Sequence, residues 1–298
     1  MVHGVGLYRN PAPMGNCNAR LGVFNSTKGL AVIFNTKKTE RRLLGAVLLL
    51  LAVAIFAPSV AQPVHQHAFA DPRGWGQIPC ALNVLSNLPF ALWGAAGLGL
   101  LAWQRAMAPP HTLISLAQSR LAQSRLAALF FAGLLVTAVA SGIYHWRPDD
   151  AGLVMDRLGM VVVFAGLLGL AGADRASPRA GGLLAVVVLL LGPLSVWTWS
   201  VTGNVLPWVV VQFGGMLLVL ALACLKPLPG ALAVRWGVVI MIYAAAKLFE
   251  VADEAVYAAT SQLISGHSLK HVVASCAAWP VVAALMTHHK SRAESASA

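Results

Sequence analysis

Eight apolar runs of roughly twenty residues each divide the chain, at 43–60, 79–103, 126–145, 154–172, 182–200, 205–225, 234–252 and 268–287. A helix needs about 20 such residues to cross a bilayer, and only helices and closed barrels satisfy their own backbone polar groups in lipid. The runs therefore predict an all-α polytopic membrane bundle. Breaking residues fall between them: Pro109 and Pro110, Ser177-Pro178-Arg179, Thr202-Gly203-Asn204, and Pro227-Leu228-Pro229-Gly230. A tandem LAQSR at 116–125 reads as a short loop duplication, too small to be a structural repeat.

Composition agrees and excludes the alternatives. Hydrophobic residues make up 58% of the 298 and charged residues 10%, against roughly a quarter charged in soluble domains. The four cysteines, Cys17, Cys80, Cys224 and Cys276, lack C-x-x-C spacing, which argues against a disulfide framework or a thiolate metal site. A net charge of +11 would suggest nucleic acid in a soluble protein. In a membrane chain it reflects lysine and arginine held on the cytoplasmic side, and no nucleic-acid partner is expected.

With the N-terminus inside, 16 of the 21 basic residues fall in inner segments and 5 in outer ones. The bias recurs at every inner loop and predicts cytoplasmic N- and C-termini. Trp75, Trp146, Trp197, Trp199 and Trp208 then gather at the outer ends, where indole rings suit the headgroup region. Residues 1–42 are basic and aperiodic, and read as a disordered cytoplasmic tail. Run 43–60 reads as a retained anchor, 61–287 as the main membrane domain, and 288–298 as a second cytoplasmic tail.

Ionisable residues inside membrane spans are expensive and mark functional sites. Three clusters stand at outer helix ends. In VASGIYHWRPDD, Ser141 and His145 are four apart and share a helix face. In VMDRLGM, Asp156 follows His145 by 11 residues, so a tight turn between antiparallel helices brings the two together. In SGHSLKHVVA, His267 and His271 are again four apart. Zinc takes neutral imidazole nitrogens, and its catalytic sites keep three protein ligands and an open position. One histidine from the third run and two from the eighth meet that count. Singly, each residue is ordinary: a serine near a helix end back-bonds to a carbonyl, and an aspartate near a helix start suits the dipole.

This ordered set resembles the alkaline ceramidases, a branch of the seven-helix membrane hydrolases that also include the adiponectin-receptor and haemolysin III families. NVLSNLPF (83–90) and AKLFEVAD (246–253) resemble further segments of that family. The likeness runs from about 68 to 287 and implies a seven-helix core with one extra N-terminal transmembrane helix. It also implies zinc held by His145, His267 and His271, with Asp156 and Ser141 at the catalytic water. The substrate would be an amide-linked sphingolipid of the membrane, cleaved to fatty acid and long-chain amine; no obligate protein partner is evident. Asp156 would carry the water's proton to the amine and Ser141 would donate to the oxyanion, although the two could exchange roles. Calcium-regulated members carry an acidic stretch where this chain has FADPRGWGQIPCALN, with Cys80 at a glutamate's position and only Asp71 acidic. The family's calcium site is therefore expected to be absent, and the segment resembles bacterial relatives.

Other polar residues are secondary. Lys247, Glu250 and Glu254 are spaced to share a helix face, either as an ion-paired end or lining a cavity. Asn83, Ser86 and Asn87 share another, for interhelical hydrogen bonds or substrate contact. His65 and His67 are assigned no role. The competing reading is a non-enzymatic receptor-like or transport protein built on the same bundle. Against transport, the polar residues gather at one face and the halves show no repeat.

Overall fold

A computed structural model describes residues 26–107 and 117–297, with side chains described over 37–107 and 121–289. Residues 1–25, with Cys17, and the 108–116 segment, with the two adjacent prolines, lie outside the described residues. The described chain is an all-α membrane bundle. Its elements are α1 (Ser26–Phe56), α2 (Ala81–Leu85), α3 (Leu88–Ala106), α4 (Ala117–Trp146), α5 (Asp150–Arg175) and α6 (Pro178–Thr202). There follow α7 (Leu206–Val209), a π-turn (Val210–Gly214), α8 (Gly215–Ala223), α9 (Trp236–Val251), α10 (Asp253–Ala259) and α11 (Gly266–Ser275). A 3₁₀ turn (Cys276–Ala278) leads into α12 (Trp279–Ser297). β-Pairing among the described residues is limited to isolated bridges, Ala61 with Asn204 and Trp75 with Ile78.

Among the described residues, six stretches are long and apolar enough to cross a membrane: Ala81–Ala106, Leu121–Trp146, Asp150–Arg175, Pro178–Thr202, Leu206–Ala223 and Gly266–His289. The other two expected runs lie in α1 and in α9, which has 16 residues. The expected tail at 1–42 needs correction at its end, because α1 already begins at Ser26. Nothing between Ser26 and the apolar run stops a helix once it has formed, whereas Pro58 after Ala57 does stop it. At the other end α12 continues through Ser297, past the expected boundary at 287, through Ala, Glu, Lys and Arg, all strong helix formers.

Packing is built around α5, which lies between α4 and α6. Three residues, Arg147 to Asp149, turn the chain from α4 into α5, and Asp149 caps α5 by accepting from Gly152 N at 2.7 Å. Small residues set the approach. A Cβ on Gly166 would stand 2.3 Å from Phe130 N, and one on Gly133 would stand 2.6 Å from Val163 N. The α4–α5 pair thus meets backbone to backbone, the usual packing of helices in lipid. Outside the core, Leu49, Phe56, Leu92, Leu190, Trp197, Leu217 and Met241 are exposed on the helices. Such a surface suits hydrocarbon, where soluble proteins avoid large apolar patches.

The two ends of α5 differ. At its C-terminal end Asp174 is fully buried; it accepts from Ala233 N and Trp236 Nε1, both at 2.8 Å. Arg175 beside it donates to the Leu225 and Val234 carbonyls, closing that end with the 224–235 segment. The N-terminal end of α5 carries the site.

Candidate metal centre and cavity

Each candidate ligand is positioned by a helix end. His145 is the penultimate residue of α4 and is 1% exposed. Ser265 caps α11, its hydroxyl accepting from Ser268 N at 3.1 Å. That cap starts the helix so that His267 falls in its first turn and His271 one turn later, on the same face. Gly266 lets this helix start press against α9, where a Cβ would stand 2.2 Å from the Phe249 carbonyl oxygen.

The three imidazoles meet. Ring centroids lie 4.8 Å apart for His145–His267, 4.8 Å for His145–His271 and 4.9 Å for His267–His271. Their ligand nitrogens all fall within 4.8 Å of one another, and all three residues are buried. His145 Nε2 and His267 Nε2 are 3.3 Å apart. Two nitrogens bound to one tetrahedral ion at about 2.0–2.1 Å stand about 3.3–3.4 Å apart, so this spacing suits shared ligation. Buried imidazoles facing one another through nitrogen, with His145 Nδ1 lacking a hydrogen-bond partner, make a donor set that can hold a metal ion.

The third ring has its tautomer assigned by its neighbours. Ser86 Oγ donates to the Asn83 carbonyl at 3.0 Å and lies 2.8 Å from His271 Nδ1. With its proton already committed, the hydroxyl accepts from Nδ1–H, leaving His271 Nε2 with a free lone pair. This is the outer hydrogen bond that typically orients a metal-binding histidine. Asn83 is fixed in turn: its Oδ1 accepts from Ser268 Oγ at 2.8 Å, and its Nδ2 donates to the Asp71 carbonyl at 3.2 Å. Asn87 Nδ2 donates to the Asn83 carbonyl at 2.9 Å. Asn83 and Ser86 thus bond across to α11, whereas Asn87 bonds only within its own segment.

Ser141 comes from α4 and Asp156 from α5. Both line a cavity of about 590 Å³ that His267 and His271 also line. Its other walls include Phe130, Leu134, Met160, Phe164 and Met216. The arrangement sets a serine and an aspartate in the same chamber as two members of a histidine triad that could hold a metal ion.

Lys247 and Glu250 also line the cavity. Glu250 is ion-paired with Lys247 and, at 2.9 Å, with Lys270. Glu254 does not continue their face. The helix breaks at Ala252 and Glu254 is exposed on α10, an interruption that no glycine or proline announces.

Several residues at the site carry no sequence signal of their own. Phe69, in the 57–80 loop, packs its ring against His267 and His145, with centroids 4.4 and 4.8 Å away. Asp253 holds that loop to α11: Oδ1 accepts from His267 N at 2.7 Å and Oδ2 from Ala70 N at 3.0 Å. His67, to which the sequence assigned no role, bridges Tyr144 Oη and Asp150 Oδ1, each at 3.0 Å. Asp71 accepts from Arg73 Nε and Nη2 at 2.7 and 2.9 Å. Those hydrogen bonds hold its carboxyl below the ordinary value of 3.8. Burial, with Asp71 nearby, pushes the Cys80 thiol up.

Comparison with known protein families, curated proteins and solved structures finds no match to this chain.

Proposed function

We propose that this chain is a zinc-dependent intramembrane amide hydrolase, akin to the bacterial alkaline ceramidases it resembles. It cleaves a ceramide-like lipid amide to a fatty acid and a long-chain amine. The observation that carries the reading is the cluster of three buried histidines, His145, His267 and His271, with Ser141 and Asp156 lining the same largely apolar chamber as His267 and His271. A bound zinc supplies Lewis acidity toward a carbonyl and lowers the pKa of a coordinated water to about 7. Asp156 takes the proton from the attacking water and delivers it to the amide nitrogen as the carbon–nitrogen bond breaks. Ser141, which lines the same chamber as Asp156, donates its hydroxyl proton to the developing oxyanion. The apolar walls take the acyl chain, which enters from the bilayer. The basic-residue bias supports cytoplasmic termini, an inner-membrane location and a site toward the outer face.

The test is fatty-acid release from ceramides by detergent-purified protein, wild type beside Asp156→Asn. The reading expects release by the wild type and a loss of about 10²–10⁴-fold in the variant, with metal retained. A zinc-loaded wild type that cleaves no lipid amide would move the receptor-like or transport reading to the front.

A further inference from the structure

Arg157, next to Asp156 on α5, is a buried cation without a counter-ion. It is 5% exposed and lines the same cavity as the histidines. Among the described residues it forms no salt bridge. Its guanidinium carbon lies 4.0 Å from the Trp199 ring centroid and 5.7 Å from that of Trp208. Nη2 donates to Gln62 Oε1 at 2.6 Å, while Nη1 is buried with no hydrogen-bond partner. The stacking and the single amide contact orient the fork but neutralise nothing. A buried charge is costly unless paired, and an arginine fork is shaped for a carboxylate or phosphate.

The surrounding charges narrow the class. Lys247 and Lys270, the other cations lining the chamber, are both committed to Glu250. Asp156 stands beside Arg157 and opposes a doubly charged group. The unpartnered half of the Arg157 fork thus suits a single negative charge.

We infer that Arg157 binds a carboxylate on the amine half of the substrate, so that among lipid amides an N-acyl amino acid is preferred over a neutral ceramide. The inference rests on the hydrolase reading and narrows its substrate. The acyl chain lies along the apolar wall, the amide faces the histidines and the Ser141–Asp156 pair, and the carboxylate completes the Arg157 fork. Gln62 and the two tryptophans act as positioning residues for the guanidinium.

The test is equilibrium binding to nanodisc-embedded protein of three probes: N-oleoylglycine, the uncharged N-oleoylglycinamide, and N-oleoylethanolamine phosphate. Each lipid is recovered afterwards and assayed for cleavage. A charge-assisted bidentate contact predicts a preference of about tenfold or more for the glycine over the glycinamide. The ratio falls to near one in Arg157→Gln and to an intermediate value in Arg157→Lys, which keeps charge but loses the fork. Should the glutamine variant fail to fold, the lysine variant and the wild-type ratio decide. A wild-type ratio near one, a ratio that survives the loss of Arg157, or tighter binding of the phosphate each overturns the assignment. Preference without cleavage removes the hydrolase reading and leaves Arg157 standing; cleavage without preference does the reverse.

Discussion

His145 Nε2 and His267 Nε2 lie 3.3 Å apart, although 122 residues separate them in the chain. Neutral imidazoles bring at most one proton to such a contact, and a cation stabilises the converging lone pairs better. A metal bound only by the folded protein adds stability through mass action. A chelator should therefore lower the thermal midpoint of the purified wild type and leave that of His145→Ala unchanged. Equal sensitivity in both proteins would mean that this contact is a simple hydrogen bond.

Ser86 tests the outer layer. Its hydroxyl is the acceptor that fixes His271 Nδ1–H, and removing such a partner typically costs 10–100-fold in metal affinity. Ser86→Ala should show that loss in a competition titration while keeping the helical content of the wild type. Unchanged affinity would place Ser86 outside the metal's support.

Asp253 makes a different prediction. One carboxylate oxygen holds the His267 amide and the other the Ala70 amide. Hydrogen bonds to charged groups contribute about 1.5–3 kcal/mol each. In Asp253→Ala both amides lose their partner, and the 57–80 loop should release Phe69 from the imidazoles. Hydrogen exchange should rise across 57–80 and around His267, with little change at the Asp174 end of α5. Uniform acceleration through the bundle would indicate global unfolding.

The acid limb should depend on Asp71. Arg73 holds its carboxyl below the ordinary value, so its contribution to stability is fully present above pH 3.8. That contribution is lost as pH falls through the lowered value, because protonation breaks the pairing with Arg73. Asp71→Asn should lower stability at neutral pH, where the wild type keeps the whole contribution, and flatten the pH dependence in that window. A steeper dependence in the variant would reverse the assignment.

Gly266 is a steric requirement. An alanine methyl would approach the Phe249 carbonyl to 2.2 Å, so α11 must shift, at a cost of about 1–3 kcal/mol typical of overpacking. Gly266→Ala should weaken metal binding, since both histidines ride on that helix. Gly182→Ala, at a glycine with open space around it, is the control and should bind as wild type.

What the sequence made legible was local. The four-residue spacings of Ser141–His145 and His267–His271 put each pair on one helix face, and the short Arg147–Asp149 turn carries Asp156 back to Ser141. Apolar run lengths made the membrane bundle legible in the same way. Contacts between distant segments left no trace in spacing. Ser86 reaches a histidine 185 residues away, Asp253 joins two segments, and Phe69 sits in an aperiodic loop. Arg157 was visible only as one more basic residue at a helix end. Its burial, its missing counter-ion and its place in the cavity come from how α5 packs. The break at Ala252, which separates Glu254 from Glu250, has no breaking residue to announce it.

The central claim is that three histidines form one metal site, and metal content tests it most directly. Detergent-purified wild type should carry about one zinc per chain, the number one three-histidine site accommodates. A His267→Ala/His271→Ala variant, purified alongside and equally helical, should carry none. A well-folded wild type without metal, or a variant that keeps its zinc, would contradict the account.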